Sequence, residues 1–375
     1  MPADAGEQAV AGLRQPVRSG LSGRPSLDVP CSTLERMPKW LICVPLTLQW
    51  LWLSLLYRSL TLPSCANPAI TSGGLVGEGK LEYFAGMGAT ARSATAPWCA
   101  VSPHRASQGS ELLEAMRGAG LGFPVMAKPD LGLCGYGVRR IDDMGELRDY
   151  LTAFPPDETV VLQQYLPHDG EAGIFYARDP ATDEGRIIGL ALRYFPRVVG
   201  DGVQSVGQLV AGDRRASRMA RSHRHESRYD ASRVPVAGEV VRLSTVGSTR
   251  VGGLYRDGAG WITPRLLEAV DAIARDMPDF HFGRFDVRYD SLAELAAGRG
   301  FTIMEINGAG SEAIEAWDPD TSLLAGLRMI CSKQRLLFAI GDAMRRRGFK
   351  SLGLFDLIKL NIRQQRLIAH YPPSN

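Results

Sequence analysis

Charged and apolar side chains alternate most strictly in Arg284-Phe285-Asp286-Val287-Arg288-Tyr289. That period of two predicts a β-strand with Arg284, Asp286 and Arg288 on one face. Phe301-Thr302-Ile303-Met304-Glu305-Ile306-Asn307 ends in the same way, so Glu305 and Asn307 share a face about 6–7 Å apart. The two predicted strands span 281–289 and 301–306. Paired antiparallel through the connection at 291–300, they bring Asp286 to Glu305 and Asn307. Shorter apolar runs predict strands over 123–128, 159–163, 172–177 and 186–193. Helical spacing joins Leu266, Leu267, Val270, Ile273, Ala274 and Met277 behind a Thr263 cap and Pro264. Further helices are predicted from Ser110 through Met116 and around Leu147, Tyr150 and Leu151, the second stopped by Pro155-Pro156. Strands and helices mixed in this way from about Lys80 onward predict an α/β or α+β fold.

The front of the chain breaks this pattern. Residues 1–30 are rich in Gly, Pro, Ala and Ser without periodicity, and a disordered leader is expected over 1–38. Residues 40–56 run without a charge between Lys39 and Arg58. The run sits at the short limit for a membrane span and contains Pro45 and Gln49. It is expected to pack as a helix on the rest of the chain or on a second copy in a homodimer. Peripheral membrane contact through residues 40–57, with Trp40, Trp50, Trp52 and Tyr57 at the headgroups, is the alternative. Residues 63–77 are turn-rich and read as a connector, completing an apolar helical segment and connector over 39–77.

Composition narrows the class. The chain is 45% hydrophobic and 22% charged, as for an ordinary globular enzyme. A net charge of +3 from 43 basic and 40 acidic residues gives no case for a nucleic-acid partner. The six cysteines form no CxxC pair and read as reduced thiols, which points to the cytoplasm.

Three further segments carry candidate chemistry. Phe123-Pro124-Val125-Met126-Ala127-Lys128 is a strand ending on lysine, followed by Gly132-Leu133-Cys134-Gly135-Tyr136-Gly137. Glycines let backbone N–H groups cradle a polyphosphate while the lysine supplies a compact charge; the bland alternative is a tight turn. Val160-Val161-Leu162-Gln163-Gln164-Tyr165-Leu166 leaves a strand for a loop with Glu171 just beyond, as a segment meeting an adenine edge and ribose hydroxyls would. Asp286, Glu305 and Asn307 are hard oxygen donors of the kind that hold Mg²⁺ jointly with phosphates. A solvated charged hairpin face is the alternative there.

In this order the motifs resemble the ATP-grasp superfamily, and within it the D-alanine–D-alanine ligases, over roughly residues 78–315. Arg193-Tyr194-Phe195-Pro196-Arg197-Val198-Val199-Gly200-Asp201-Gly202 is similar to cyanophycin synthetase and related amino-acid ligases. The resemblance implies an α+β ATP-grasp fold, with two lobes enclosing ATP over 78–330 and a helical extension over 331–375. It implies an ATP-dependent carbon–nitrogen ligase that joins a carboxylate to an amine through an acyl-phosphate, with two Mg²⁺ ions. Lys80 and Lys128 would hold phosphates, Gly132, Gly135 and Gly137 the flap, and Gln163, Gln164, Tyr165 and Leu166 the adenine. Glu171 would hold ribose, and Asp286, Glu305 and Asn307 the metal. Arg284, with backbone donors near Gly308, would steady the intermediate. Arg250 would meet the γ-phosphate or a substrate carboxylate.

The chain departs from that family in three places. Gln163 stands where the hinge usually begins with an acidic residue. Lys80 lies too near the first residue for the α/β domain that usually precedes the ATP lobes. Gly308-Ala309-Gly310-Ser311-Glu312 replaces the turn that receives the second D-alanine. The substrate is therefore expected to be an amino acid or another small carboxylate, without D-alanine being implied. Arg214, Arg215, Arg218, Arg221, Arg224, Arg228 and Arg233, with His223 and His225, form a basic insert that reads as a solvated lid or an anion clamp. A membrane-apposed nucleotide-binding regulatory or scaffold protein without turnover is the functional alternative.

Overall fold

The computed structural model describes Val29, residues 31–105, 109–217, Glu226 and residues 228–375. The fold is α+β, and every pair of named strands is antiparallel. A first sheet contains β1 (Trp98–Val101), β2 (Val125–Pro129), β3 (Arg139–Ile141) and β4 (Val160–Gln164), in the order β1-β4-β2-β3. The helices Gly109–Gly118 and Met144–Ala153 cover it, packing Leu112, Met116, Leu147 and Leu151 against Val125, Ala127, Val160 and Leu162. Asp143 caps the second helix by accepting from the Glu146 amide.

The second sheet follows directly. Its strands are β5 (Gly170–Arg178) and β6 (Gly185–Tyr194), then, after the separate two-stranded β7 (Arg197–Val199) and β8 (Val240–Arg242), β9 (Leu254–Asp257), β10 (Phe282–Tyr289) and β11 (Phe301–Asn307). The order is β11-β10-β5-β6-β9. Thr263 caps the helix Pro264–Arg275 as expected, accepting from the Leu266 amide. That helix buries Leu266, Val270 and Ile273 against Ile174, Tyr176, Phe285 and Val287 on one face of the sheet. Each such side chain contributes about 1.5–3 kcal/mol by leaving water. The opposite face carries the charges, and residues 165–169 lead from one sheet to the other. The strands β1, β3, β7, β8 and β9, none longer than 4 residues, are not among the predicted ones because runs so short carry little periodicity.

The apolar run forms the helix Lys39–Leu56, with Pro45 inside it. One stripe docks on the helix Leu323–Arg346: Gln49 donates to the Cys331 carbonyl at 2.7 Å, and the Trp50 ring meets Phe338 edge-on at 4.9 Å. Among the described residues, no helix is long and apolar enough to cross a membrane. Of the leader expected over 1–38, residues 1–28 and 30 lie outside the described residues. Its end departs from the expectation, because Ser32 and Glu35 form a capping box on the turn Thr33–Arg36 and Leu34 is buried. The helical region expected over 331–375 begins earlier, at Leu323, because Ser322 caps it by accepting from the Ala325 amide. The last helix, Leu354–Ile368, returns to the first sheet, where Ile368 and Tyr371 enter the core.

Candidate active site

The charged face is built by register. Glu171 on β5 stands opposite Arg193 on β6 and Arg288 on β10. Asp286 on β10 stands opposite Glu305 on β11, and Arg284 opposite Asn307. The buried Arg284 donates from Nε and Nη2 to the two oxygens of Asp286 at 2.6 and 3.0 Å, and from Nη1 to the Glu312 carbonyl at 3.0 Å. Arg193 lies 2.8 Å from Glu171 and 3.3 Å from Asp286, and Arg288 lies 3.3 Å from Glu171. Asn307 Nδ2 donates to Asp286 Oδ2 at 3.2 Å. Burial alone would raise the pKa of Asp286, but Arg284 and Arg193 outweigh it and hold the carboxyl below its ordinary value.

Two lysines reach this face from elsewhere. Lys128 on β2 donates through Nζ to Gln163 Oε1 at 2.6 Å and, across the two sheets, to the Met304 carbonyl at 3.2 Å. Burial lowers its pKa to about 8, although the Glu305 carboxylate pulls the other way. Lys80 opens the helix Lys80–Ala85 and lies 3.3 Å from Glu305 Oε1. The register of β10 and β11 slips between Asp286 and Val287, leaving Met304 unpaired in a bulge. Bulges re-aim groups beside a strand, and here the freed carbonyl meets Lys128 while Met304 Sδ meets Arg288 Nε at 3.2 Å.

The glycine loop lies beside Lys80. A Cβ on Gly132 would come within 2.6 Å of Lys80 Nζ, so a side chain there would displace the ammonium. Gly135 and Gly137 have φ of 73° and 71°, in the left-handed region that glycine adopts without strain. The Arg250 guanidinium sits 4.5 Å from the Tyr136 ring and donates to Ser374 Oγ at 3.1 Å. Arg250 therefore packs on the glycine loop.

The other expected residues are placed as follows. Gln163 is buried and its amide oxygen is taken by Lys128, so its side chain caps a lysine, while Gln164 is exposed. The Tyr165 ring carries the Arg140 guanidinium at 4.5 Å, and Leu166 is half-buried. Glu171 is buried between two arginines within the sheet. The Ala309 and Gly310 amides, the backbone donors following Gly308, already bond the Gly73 and Gly74 carbonyls at 3.0 and 2.6 Å. A Cβ on Gly308 would stand 2.6 Å from Tyr83 Oη. Gly308 thus seats the turn at 71–75 against β11.

Of the basic insert, Arg215 pairs with Glu35 at 2.9 Å, Arg228 with Asp142 and Glu146 at 2.7 Å each, and Arg233 with Glu239. These three tie parts of the fold together. Arg218, Arg221, His223, Arg224 and His225 lie outside the described residues. Arg193 and Met304 adjoin the cluster although the sequence reading gave neither a role. The first opens the cyanophycin-synthetase-like stretch, and the second contributes only through its backbone and a bulge. Two cavities, of about 30 Å³ beside Tyr194 and Arg215 and about 370 Å³ along Lys359 and Ile362, are lined by no residue of the charged cluster.

Among the described residues no three His, Cys, Asp or Glu side chains gather as a metal site. The acidic donors facing each other are Asp286 and Glu305, with the Asn307 amide beside them. All are hard donors that suit Mg²⁺ shared with ligand oxygens.

No family model matches the chain, and no curated protein matches it. Among solved structures it is similar to the D-alanine–D-alanine ligase from Bacillus anthracis, at 18% identity and TM-score 0.38 over 74% of this chain and 69% of that one. It is also similar to VanG D-Ala:D-Ser ligase from Enterococcus faecalis, at 13% identity and TM-score 0.40 over 72% of this chain and 64% of that one. A bifunctional glutathione synthetase from Pasteurella multocida aligns at 16% identity and TM-score 0.34 over 66% of this chain and 35% of its own length. The chain thus spans about a third of that enzyme.

Proposed function

We propose that this chain is an ATP-dependent ligase of the ATP-grasp kind, joining a small carboxylate to an amine through an acyl-phosphate. The observation that supports it is the convergence of Lys80 and Lys128, from separate segments, on Met304 and Glu305 directly opposite Asp286. Two cations beside paired carboxylates and a glycine loop suit a polyphosphate that arrives with its own dication.

In this proposal the lysines hold phosphate oxygens, and Asp286, Glu305 and Asn307 hold Mg²⁺, which when bound would draw charge from the phosphates. The cation would compete with Arg284 and Arg193 for Asp286. A carboxylate oxygen of the substrate attacks the γ-phosphorus and ADP leaves. The amine nitrogen then attacks the acyl carbon, phosphate leaves, and the nitrogen gives up a proton. Arg284 faces the negative charge that builds on the acyl group, and the glycine loop excludes water that would otherwise hydrolyse the acyl-phosphate.

Phosphate release from ATP, measured across a panel of amino acids and dipeptides, tests the proposal. Release should require a carboxylate, and hydroxylamine in place of the amine should trap the acyl-phosphate as a hydroxamate. Release that is indifferent to added carboxylate, or nucleotide binding without any turnover, would refute ligase chemistry.

A further inference from the structure

The helix Lys39–Leu56 uses only part of its surface. Its inner stripe includes Ile42 at 5% and Leu53 at 2% exposure, and Gln49 fastens it to the helix Leu323–Arg346. The outer face leaves Trp40 68%, Leu48 63%, Trp52 57% and Leu55 79% exposed. At 1.5 Å per residue, this strip of 18 residues is about 27 Å long. A continuous apolar strip of that size is seldom left in water.

Charge identifies what covers it. Residues 36–61 hold Arg36, Lys39 and Arg58 and no acidic residue. Arg36 and Arg58 are exposed, and the supporting helix Leu323–Arg346 adds the exposed Arg328 and Arg335. A second copy docked about a two-fold axis would bring the cations at one end of the helix to those at the other end of its copy. An anionic lipid surface takes both features at once, with apolar side chains among the acyl chains and guanidinium groups at the phosphates. Tryptophan suits that boundary, being apolar in body and polar at its N–H. No described helix is long and apolar enough to cross a membrane, and the inner face of this one is occupied, which suits a segment lying in the plane of one leaflet.

We infer that the outer face of Lys39–Leu56 docks the protein on an anionic membrane surface. This stands apart from the ligase proposal, since none of these residues belongs to the charged cluster.

Flotation of the full chain tests it, using vesicles of phosphatidylcholine alone and vesicles with about a third phosphatidylglycerol. The wild-type protein should float with the anionic vesicles, with a blue-shifted tryptophan emission, and should be released by salt. L48E/W52E should lose that binding. Two added carboxylates alone lower the partition roughly 25-fold, at about five-fold per charge. The variant should retain the wild-type unfolding midpoint, because both positions are exposed. Val203→Glu, at a position 79% exposed elsewhere, should bind like the wild type. Failure of the wild type to float, or equal binding to neutral and anionic vesicles, would overturn the inference. So would a lipid-free dimer that L48E/W52E converts to a monomer, which would assign the face to a second copy.

Discussion

Titration of Lys128 gives the sharpest test of the proposed nucleotide site. Its pKa falls from 10.5 to about 8 because the ammonium is buried in the fold. A polyphosphate beside it restores the charged form, so nucleotide selects the protonated lysine. The protonated fraction falls from roughly three-quarters at pH 7.5 to about 3% at pH 9.5. Affinity for a non-hydrolysable ATP analogue should therefore weaken about 25-fold over that interval, or about 2 kcal/mol. Lys128→Arg keeps its charge throughout and should bind with little dependence on pH, while Lys128→Met should bind weakly at both values. Titration calorimetry at the two pH values measures this directly. The sign for stability is separate: folding lowers this pKa, so the unfolded chain binds the extra proton between about pH 8 and pH 10.5. Unliganded stability should thus rise with pH across that window. An unchanged affinity in the wild type, or a fall of equal size in Lys128→Arg, would refute the phosphate role.

Other outcomes follow from the same cluster. Glu305→Gln should lower ATP turnover at least about 100-fold while leaving the circular dichroism spectrum and unfolding midpoint unchanged, since Glu305 is half-exposed beside Lys80. Arg193→Ala should destabilise the protein by about 3–5 kcal/mol in denaturant unfolding, because it strips a cation from both Glu171 and Asp286 in a buried setting. Gly132→Ala should fold normally yet raise the KM for ATP several-fold in steady-state kinetics. Its Cβ would meet the Pro129 carbonyl at an ordinary 3.6 Å and crowd the flexible end of Lys80, which must move away.

Much of this site is legible in the sequence because strand periodicity is local. The alternation around Arg284 and Asp286, and Glu305 two residues before Asn307, already places those groups on shared faces. The antiparallel pairing expected between them is the one observed, with Asp286 opposite Glu305. The α+β class and the Pro264–Arg275 helix are likewise read from patterns contained within a dozen residues. The bulge at Met304 is not, although one trace of it exists. Ile303 and Ile306 are both core residues three positions apart, a spacing that a regular strand cannot bury on one face.

Tertiary structure decided which charges meet. Arg193, Arg288 and Glu171 come together only because β5 lies between β6 and β10, and no local pattern specifies that order. Gln163, read as an adenine contact, caps Lys128 because β2 and β4 pair in a register that sets Met126 beside it. The apolar stretch shows the same division. Its composition alone made a helix with an unsatisfied surface, whereas the stripe taken by Leu323–Arg346 determined which half stays exposed. Periodicity acts over neighbouring residues and is written in the chain. Pairings across 20 to 300 positions depend on how whole sheets and helices stack, and they emerge only when the core closes.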